Sequence, residues 1–225
     1  MDSILKYFKT NWLLLLIVLM GSVIRFLPLG YYQYSHDELS ALSRTDFLSL
    51  NDVLTLGVKL NDTHPALIQM FLWLWVKLLG TSETVVKLPF LICGIFSVVF
   101  IYKFGKKHFN LNTGILASLI VAFSFIFIVY SSYARMYVSG ILFSILLLNA
   151  VYSIVFSDKV KMSDYIQYVI FALLCAFNHH LSCLFAFVVT SLAFFYLPKH
   201  NRKHFIIACI IAIIAYLPHL SITLY

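Results

Sequence analysis

The feature that most constrains this chain is a succession of apolar runs, each as long as a bilayer is thick. Segments Trp12–Leu29, Val85–Phe104, Leu111–Tyr130, Tyr137–Phe156 and Phe205–Leu224 carry almost no charge, and about 17–25 apolar residues suffice for a spanning helix. The run Tyr165–Leu197 is too long for one crossing. At about 1.5 Å per residue it would extend about 50 Å, against a hydrocarbon core of about 30 Å. The polar triplet Asn178-His179-His180 near its middle divides it into a tight helical pair, with spans at 165–178 and 181–197. Composition agrees: hydrophobic residues make up 62% and charged ones 11%, where soluble domains run at about 45–50% and about 25%.

A formal net charge of +7 could suit a nucleic-acid binder, but the basic residues sit in short clusters between apolar runs, as in cytoplasmic loops. Those clusters also orient the chain. The ambiguous element is Pro65–Gly80, apolar and carrying Trp73 and Trp75; if it crossed, every later segment would flip. Lying in the interface, it leaves Lys6 and Lys9, Lys103, Lys106 and Lys107, Lys159 and Lys161, and Lys199, Arg202 and Lys203 all on the cytoplasmic side. Gln69, Trp73 and Lys77, spaced by four, give that helix a polar stripe. The expectation is a juxtamembrane helix on the outer face within one long outer loop, residues 30–84. Cys93, Cys175, Cys183 and Cys209 lie in apolar stretches without metal-ligand spacing and read as packing residues. Lys6 and Lys9 ahead of an apolar run resemble a signal peptide, but no small-residue cleavage pattern follows, and an uncleaved first helix is expected.

With this topology the unusual polar residues share one face: His36-Asp37-Glu38, Asn61-Asp62-Thr63-His64-Pro65, Ser131–Tyr137, Asn178-His179-His180 and His219. Each has a bland reading. Ser35-x-x-Glu38 fits a capping box, with Asp37 favourable near a helix start; equally, a carboxylate partly desolvated at the membrane surface is a competent base. Arg135, flanked by Tyr130, Tyr133 and Tyr137, is either a snorkelling side chain or a guanidinium clamp for phosphate. His179 and His180 either cap helix ends or line a site. Their adjacency argues against a two-histidine metal site. Polar groups gathered near hydrocarbon are costly and tend to mark function.

The ordered set His36-Asp37-Glu38, Thr63-His64-Pro65, Tyr133-Ala134-Arg135-Met136-Tyr137, Asn178-His179-His180-Leu181 and Tyr216-Leu217-Pro218 resembles the GT-C membrane glycosyltransferases. Within them it is similar to the protein O-mannosyltransferase and aminoarabinose-transferase-like group, glycosyltransferase family 39 and its relatives. Lys87-Leu88-Pro89 stands where that family usually has Arg-Leu-Pro, keeping the charge but not the bidentate geometry.

The resemblance implies an all-α integral membrane protein: a GT-C-like bundle of about seven transmembrane helices, as one membrane domain over 1–225. Its activity would be transfer of a sugar from a polyprenyl-phosphate donor to a lipid, protein or glycan acceptor on the outer face. By carry-over Asp37 is the general base with Glu38 in support, and His64, Lys87, Arg135, Tyr137, His179 and His180 line the donor. No cofactor is implied, a divalent cation is left open, and the setting is a plasma membrane of bacterial inner-membrane type. The family's enzymes usually continue for several more helices, so the expectation is a front half whose activity needs further helices or a second polypeptide. The alternative class is a non-catalytic protein with the same front half: a lipid-linked-sugar binder, flippase or partner subunit. A generic transporter fits less well, because helices two to seven carry no charge at mid-span.

Overall fold

The computed structural model describes residues 2–29, 33–62 and 64–223, with side chains from residue 11 to 222 within those ranges. Thr63, residues 30–32 and Leu224 lie outside the described residues, as do the side chains of Lys6 and Lys9. Every regular element described is helical: α1 (Asp2–Phe26), α2 (His36–Ser43), α3 (Leu50–Asp52) running into a π-helical stretch (Val53–Val58), α4 (Leu67–Leu79) and α5 (Glu83–His108). There follow α6 (Leu111–Phe123), α7 (Phe125–Ser131), α8 (Met136–Phe156), α9 (Met162–Asn178), α10 (His180–Tyr196) and, after a short turn of 3-10 helix, α11 (Arg202–Thr223).

Among the described residues three helices are long and apolar enough to cross a membrane, Glu83–His108, Met136–Phe156 and Lys199–Ile222. The pair α6–α7 makes a fourth if counted as one span. Asn11–Phe26, Met162–Asn178 and His180–Tyr196 are apolar but shorter. The last two are short because His179 interrupts them in an extended conformation (φ −161, ψ 146). They fold back as the expected hairpin, and the Tyr168 and Thr190 hydroxyls, equally far from its tip, meet at 2.9 Å.

The expected single helix over Leu111–Tyr130 is instead broken at Ser124 (φ −68, ψ 129) and bends by 60°. Neither proline nor glycine lies at the break. A side chain from another helix supplies the cause, as sharp kinks require. Arg25, fully buried near the end of α1, donates from Nη2 to Val121 O at 2.7 Å and from Nη1 to Ala122 O at 2.8 Å. Those carbonyls lose their helical partners at the break. Its Nε donates to Ser131 Oγ at 3.2 Å, at the far end of α7.

Helices α5 and α8 pack against each other in the middle of the molecule. On one side α1 and α6 enclose Ile17, Val98, Val121 and Ala122. On the other α9, α10 and α11 surround Leu147, Ile154, Cys175 and Phe205. Glycines let α5 and α6 approach: a Cβ on Gly105 would lie 2.7 Å from the Gly114 Cα, the small-residue contact that membrane interfaces use. Lys107 Nζ donates to Ser153 Oγ at 2.7 Å and His108 bonds Asn149 at 3.0 Å, both at the end of the bundle where α5 finishes. Asp37, Arg135 and His179 lie at the opposite end.

Helix α4 keeps both its ends at that second end. Ala66, just before it, donates its N–H to His219 Nε2 at 3.3 Å, and Trp75 Nε1 donates to Val85 O at 2.8 Å. Val85 O is available because Pro89, one turn on, has no N–H to offer it. The stripe Gln69, Trp73 and Lys77 runs from buried at Gln69 to exposed at Lys77. It bonds the backbone of α2 and the loop after it, at Ala41 O, Phe47 O and Leu48 O, at 2.7, 2.8 and 2.9 Å. Gly80 closes the helix at φ 91, a conformation that glycine adopts without strain.

Candidate functional site

Four chain segments meet at one end of the bundle: the start of α2, the approach to α4, the α7–α8 junction and the α9–α10 tip. The start of α2 is set locally. Ser35 Oγ accepts from Glu38 N at 3.3 Å, and Glu38 Oε2 accepts from Ser35 N at 2.8 Å. This reciprocal capping box satisfies two of the donors a helix start leaves free. It also sorts the acidic pair. Glu38 is buried and fully engaged: its Oε1 accepts from Ala134 N at 2.8 Å and lies 3.9 Å from Lys87 Nζ. Asp37 is exposed, and its carboxylate accepts from the Tyr137 hydroxyl at 3.5 Å.

Arg135 is 7% exposed, in extended backbone (φ −135, ψ 169) immediately before α8. Its Nε has no hydrogen-bond partner, and no carboxylate pairs with it among the described residues. A buried guanidinium in that condition is costly unless an anion completes it. Imidazoles surround the position. The His64 and His179 rings stand 4.9 Å apart, His180 is 6.2 Å from His64, and Tyr137 is 6.3 Å from His179. His64 is held by Asp62, which accepts its N–H at 3.2 Å and pairs with Arg44 at 3.1 Å. His179 Nδ1 accepts from Leu181 N at 3.0 Å, which leaves its Nε2 protonated when the ring is neutral. Burial lowers the pKa of both His64 and His179, and the Arg135 charge adds to the effect. Two rings that resist protonation thus flank a fixed cation.

A groove of about 520 Å³ runs from Tyr137 and His179 down between α8 and α10, along Ile141, Ile145, Leu148 and Phe185. Polar groups stand at its mouth and hydrocarbon lines its length. That suits an amphiphile with a polar head and a long apolar chain. Among the described residues no group of three or more His, Cys, Asp or Glu side chains is arranged to hold a metal ion.

The family model for dolichyl-phosphate-mannose-protein mannosyltransferase matches residues 63–222. The chain belongs to that family. No curated protein and no solved structure matches it. The sequence resemblance is therefore confirmed, and membership together with the apolar helices makes this a multi-pass membrane protein of a glycosyltransferase family. The matched stretch of this mannosyltransferase-family chain holds His64, Lys87, Arg135, Tyr137, His179 and His180. The acidic pair precedes it, joined to it by the Glu38–Ala134, Glu38–Lys87 and Asp37–Tyr137 contacts.

Of the residues singled out in the sequence, Asp37, Tyr137, His64, His179, His180 and Arg135 come together. Lys87 does not join them. Buried, it lies within 3.5 Å of Gln33 O and beside Glu38, and lines a separate cavity of about 370 Å³ with Phe125, Ile128 and Tyr133. Asn178 carries more than the sequence assigned to it. It is fully buried, accepts from Ser139 Oγ at 2.7 Å, and donates to Met136 O at 2.9 Å. Its only sequence signal was its place beside the paired histidines. Arg25, which shapes the α7–α8 junction from below, was not among the sequence candidates.

Proposed function

We propose that this chain binds a polyprenyl-phosphate-linked sugar and transfers the sugar to an acceptor hydroxyl at the Asp37 end of the bundle. The observation that carries the reading is that buried Arg135, whose Nε has no hydrogen-bond partner among the described residues, directly precedes Met136 and Tyr137 in the lining of an apolar groove. In it, Arg135 faces the donor phosphate, His64 and His179 offer ring N–H groups to phosphate or sugar, and the polyprenyl chain runs between α8 and α10. Tyr137 forms the wall between donor and base. His180 sits at the rim.

The reaction balances simply. The Asp37 carboxylate takes the acceptor's O–H proton as that oxygen forms its bond to the anomeric carbon. The bond from that carbon to phosphate oxygen breaks, its electron pair leaving with the polyprenyl phosphate. Attack from the Asp37 side and departure toward Arg135 invert the anomeric configuration. Charge grows on the leaving phosphate, where a fixed guanidinium stabilises it most. Glu38, saturated with donors, is a support rather than a second base.

The same reading includes seven crossings, with α1, α9 and α10 spanning at a tilt or at locally thin bilayer and α6–α7 as one bent span. Residues 30–84 lie outside and α4 lies along the surface. The basic clusters at the opposite bundle end support this orientation.

The test is Asp37→Asn in membranes containing the full chain, with donor binding and sugar transfer measured separately. Transfer should fall by about 10²–10⁴-fold, the usual contribution of a general base, while donor binding persists. Near-normal transfer by the Asn variant would remove Asp37 as the base. Donor binding with no transfer even in the wild-type chain would favour the non-catalytic binder.

A further inference from the structure

Arg135 is pinned on both sides by buried side chains from two other elements. On its N-terminal side, Glu38 Oε1 accepts the Ala134 N–H at 2.8 Å. On its C-terminal side, Asn178 Nδ2 donates to Met136 O at 2.9 Å. Glu38 is 2% exposed and Asn178 0%, so neither bond competes with water. Each clamp is fixed in turn. The capping box and Lys87 hold Glu38, and Ser139 Oγ donates to Asn178 Oδ1 at 2.7 Å. Gly140 leaves the room Asn178 needs, since a Cβ there would stand 2.9 Å from its Nδ2.

The clamps also belong to the residues that flank Arg135's neighbours. Glu38 adjoins Asp37, and Asn178 adjoins His179. One hydrogen bond therefore ties the Asp37 helix to the chain entering Arg135, and another ties the His179 tip to the chain leaving it.

Building on the proposed donor site, we infer that Glu38 and Asn178 are positioning residues that hold the Arg135 guanidinium in register with Asp37 and His179. A guanidinium with free donors in a buried place would otherwise turn toward the nearest carbonyls, as Arg25 does toward Val121 and Ala122. Extended backbone fixed at both ends holds it in place beside the groove-lining Met136 and Tyr137. Misplacement of a binding group by about 1 Å already costs about 10²-fold in an active site, so the brace has a measurable consequence.

The test is a double-mutant cycle read by affinity for a short-chain probe, farnesyl-phosphate mannose, using the full chain in detergent micelles. Glu38→Gln keeps the shape, but its single carbonyl cannot accept from both Ala134 and Ser35. Asn178→Leu keeps the volume and loses both bonds. Each should weaken probe binding by about tenfold in the wild-type background, the scale of a hydrogen bond to a charged group. On an Arg135→Ala background each should have little further effect, because residues acting through one group are not additive. A purely structural role would lower the melting temperature and add its effect equally in both backgrounds; that result overturns the inference.

Gly140→Ala supplies a milder arm should either variant fold poorly. It displaces Asn178 without removing it, and should weaken binding in the wild-type background and not in the Arg135→Ala one. Equal effects of Gly140→Ala in both backgrounds would likewise count against the brace. If Arg135→Ala itself leaves probe affinity unchanged, the phosphate reading of Arg135 fails together with the brace. Additivity with a functional Arg135 sinks the brace alone.

Discussion

Two neighbouring carboxylates at this site, Asp37 and Glu38, have opposite surroundings. Glu38 accepts from Ser35 and Ala134 and lies beside Lys87, whereas Asp37 meets water and one tyrosine hydroxyl. The sequence held half of that distinction: Ser35-x-x-Glu38 is legible as a capping box, and a capping glutamate leaves its neighbour free. The contact with Ala134 lies 96 positions away and has no local signature. His64 and His179 make a further prediction at this scale. Burial holds both below the ordinary histidine value of 6.5, so the unfolded chain binds more protons than the folded one as pH falls past that value. Stability then rises with pH across the window from their lowered folded values up to about 6.5. Thermal unfolding between pH 5 and pH 8 should show this slope, and His64→Gln with His179→Gln should flatten it. An unchanged slope in the double variant would assign the effect to other groups.

Among the elements, α6–α7 departs most from its sequence expectation, and the reason is Arg25. Leu111–Tyr130 reads as one apolar helix because it has no proline or glycine at its centre to announce a break. The break is imposed from α1, by a guanidinium whose donors take carbonyls at Gly21, Val121 and Ala122. An arginine at the end of an apolar run was visible, but its reach was not. Arg25→Met should leave buried carbonyls unsatisfied at about 1–3 kcal/mol each, and should lower the melting temperature more than Ser131→Ala, which removes one bond. Gly94→Ala probes the same junction sterically. Its Cβ would collide with Ser131 Oγ, and overpacking of this kind costs about 1–3 kcal/mol. Wild-type stability in both Arg25→Met and Gly94→Ala would mean that the bend does not depend on this contact. Helix α4 teaches a complementary lesson. Its spacing-by-four polar stripe was plain in the sequence, yet the same stripe bonds the backbone of α2 and the loop after it, with its Lys77 end exposed, a choice of partner that periodicity alone does not make.

At the scale of the whole molecule, the separation of ends was the most legible property. Apolar run lengths located most of the helices, and the alternation of basic clusters with reactive-looking loops put the site at one end. The groove between α8 and α10 was not legible, because it depends on how the hairpin packs rather than on any one segment's pattern. The orientation has its own check. In a chain freed of its four cysteines, a cysteine at Thr81 should react with an impermeant thiol reagent on intact cells, and one at Asn110 should not. The reverse pattern would mean that α4 crosses. The central claim is that Arg135, buried and with no hydrogen-bond partner for its Nε among the described residues, receives the donor's phosphate while the donor's apolar chain enters the groove. The most direct measurement is the affinity of the full chain for farnesyl-phosphate mannose, compared between wild type and Arg135→Ala at matched melting temperature. A hydrogen-bonded charge of this kind is worth about 1.5–3 kcal/mol, so the account predicts a loss of at least about tenfold; equal affinities in the two proteins would contradict it.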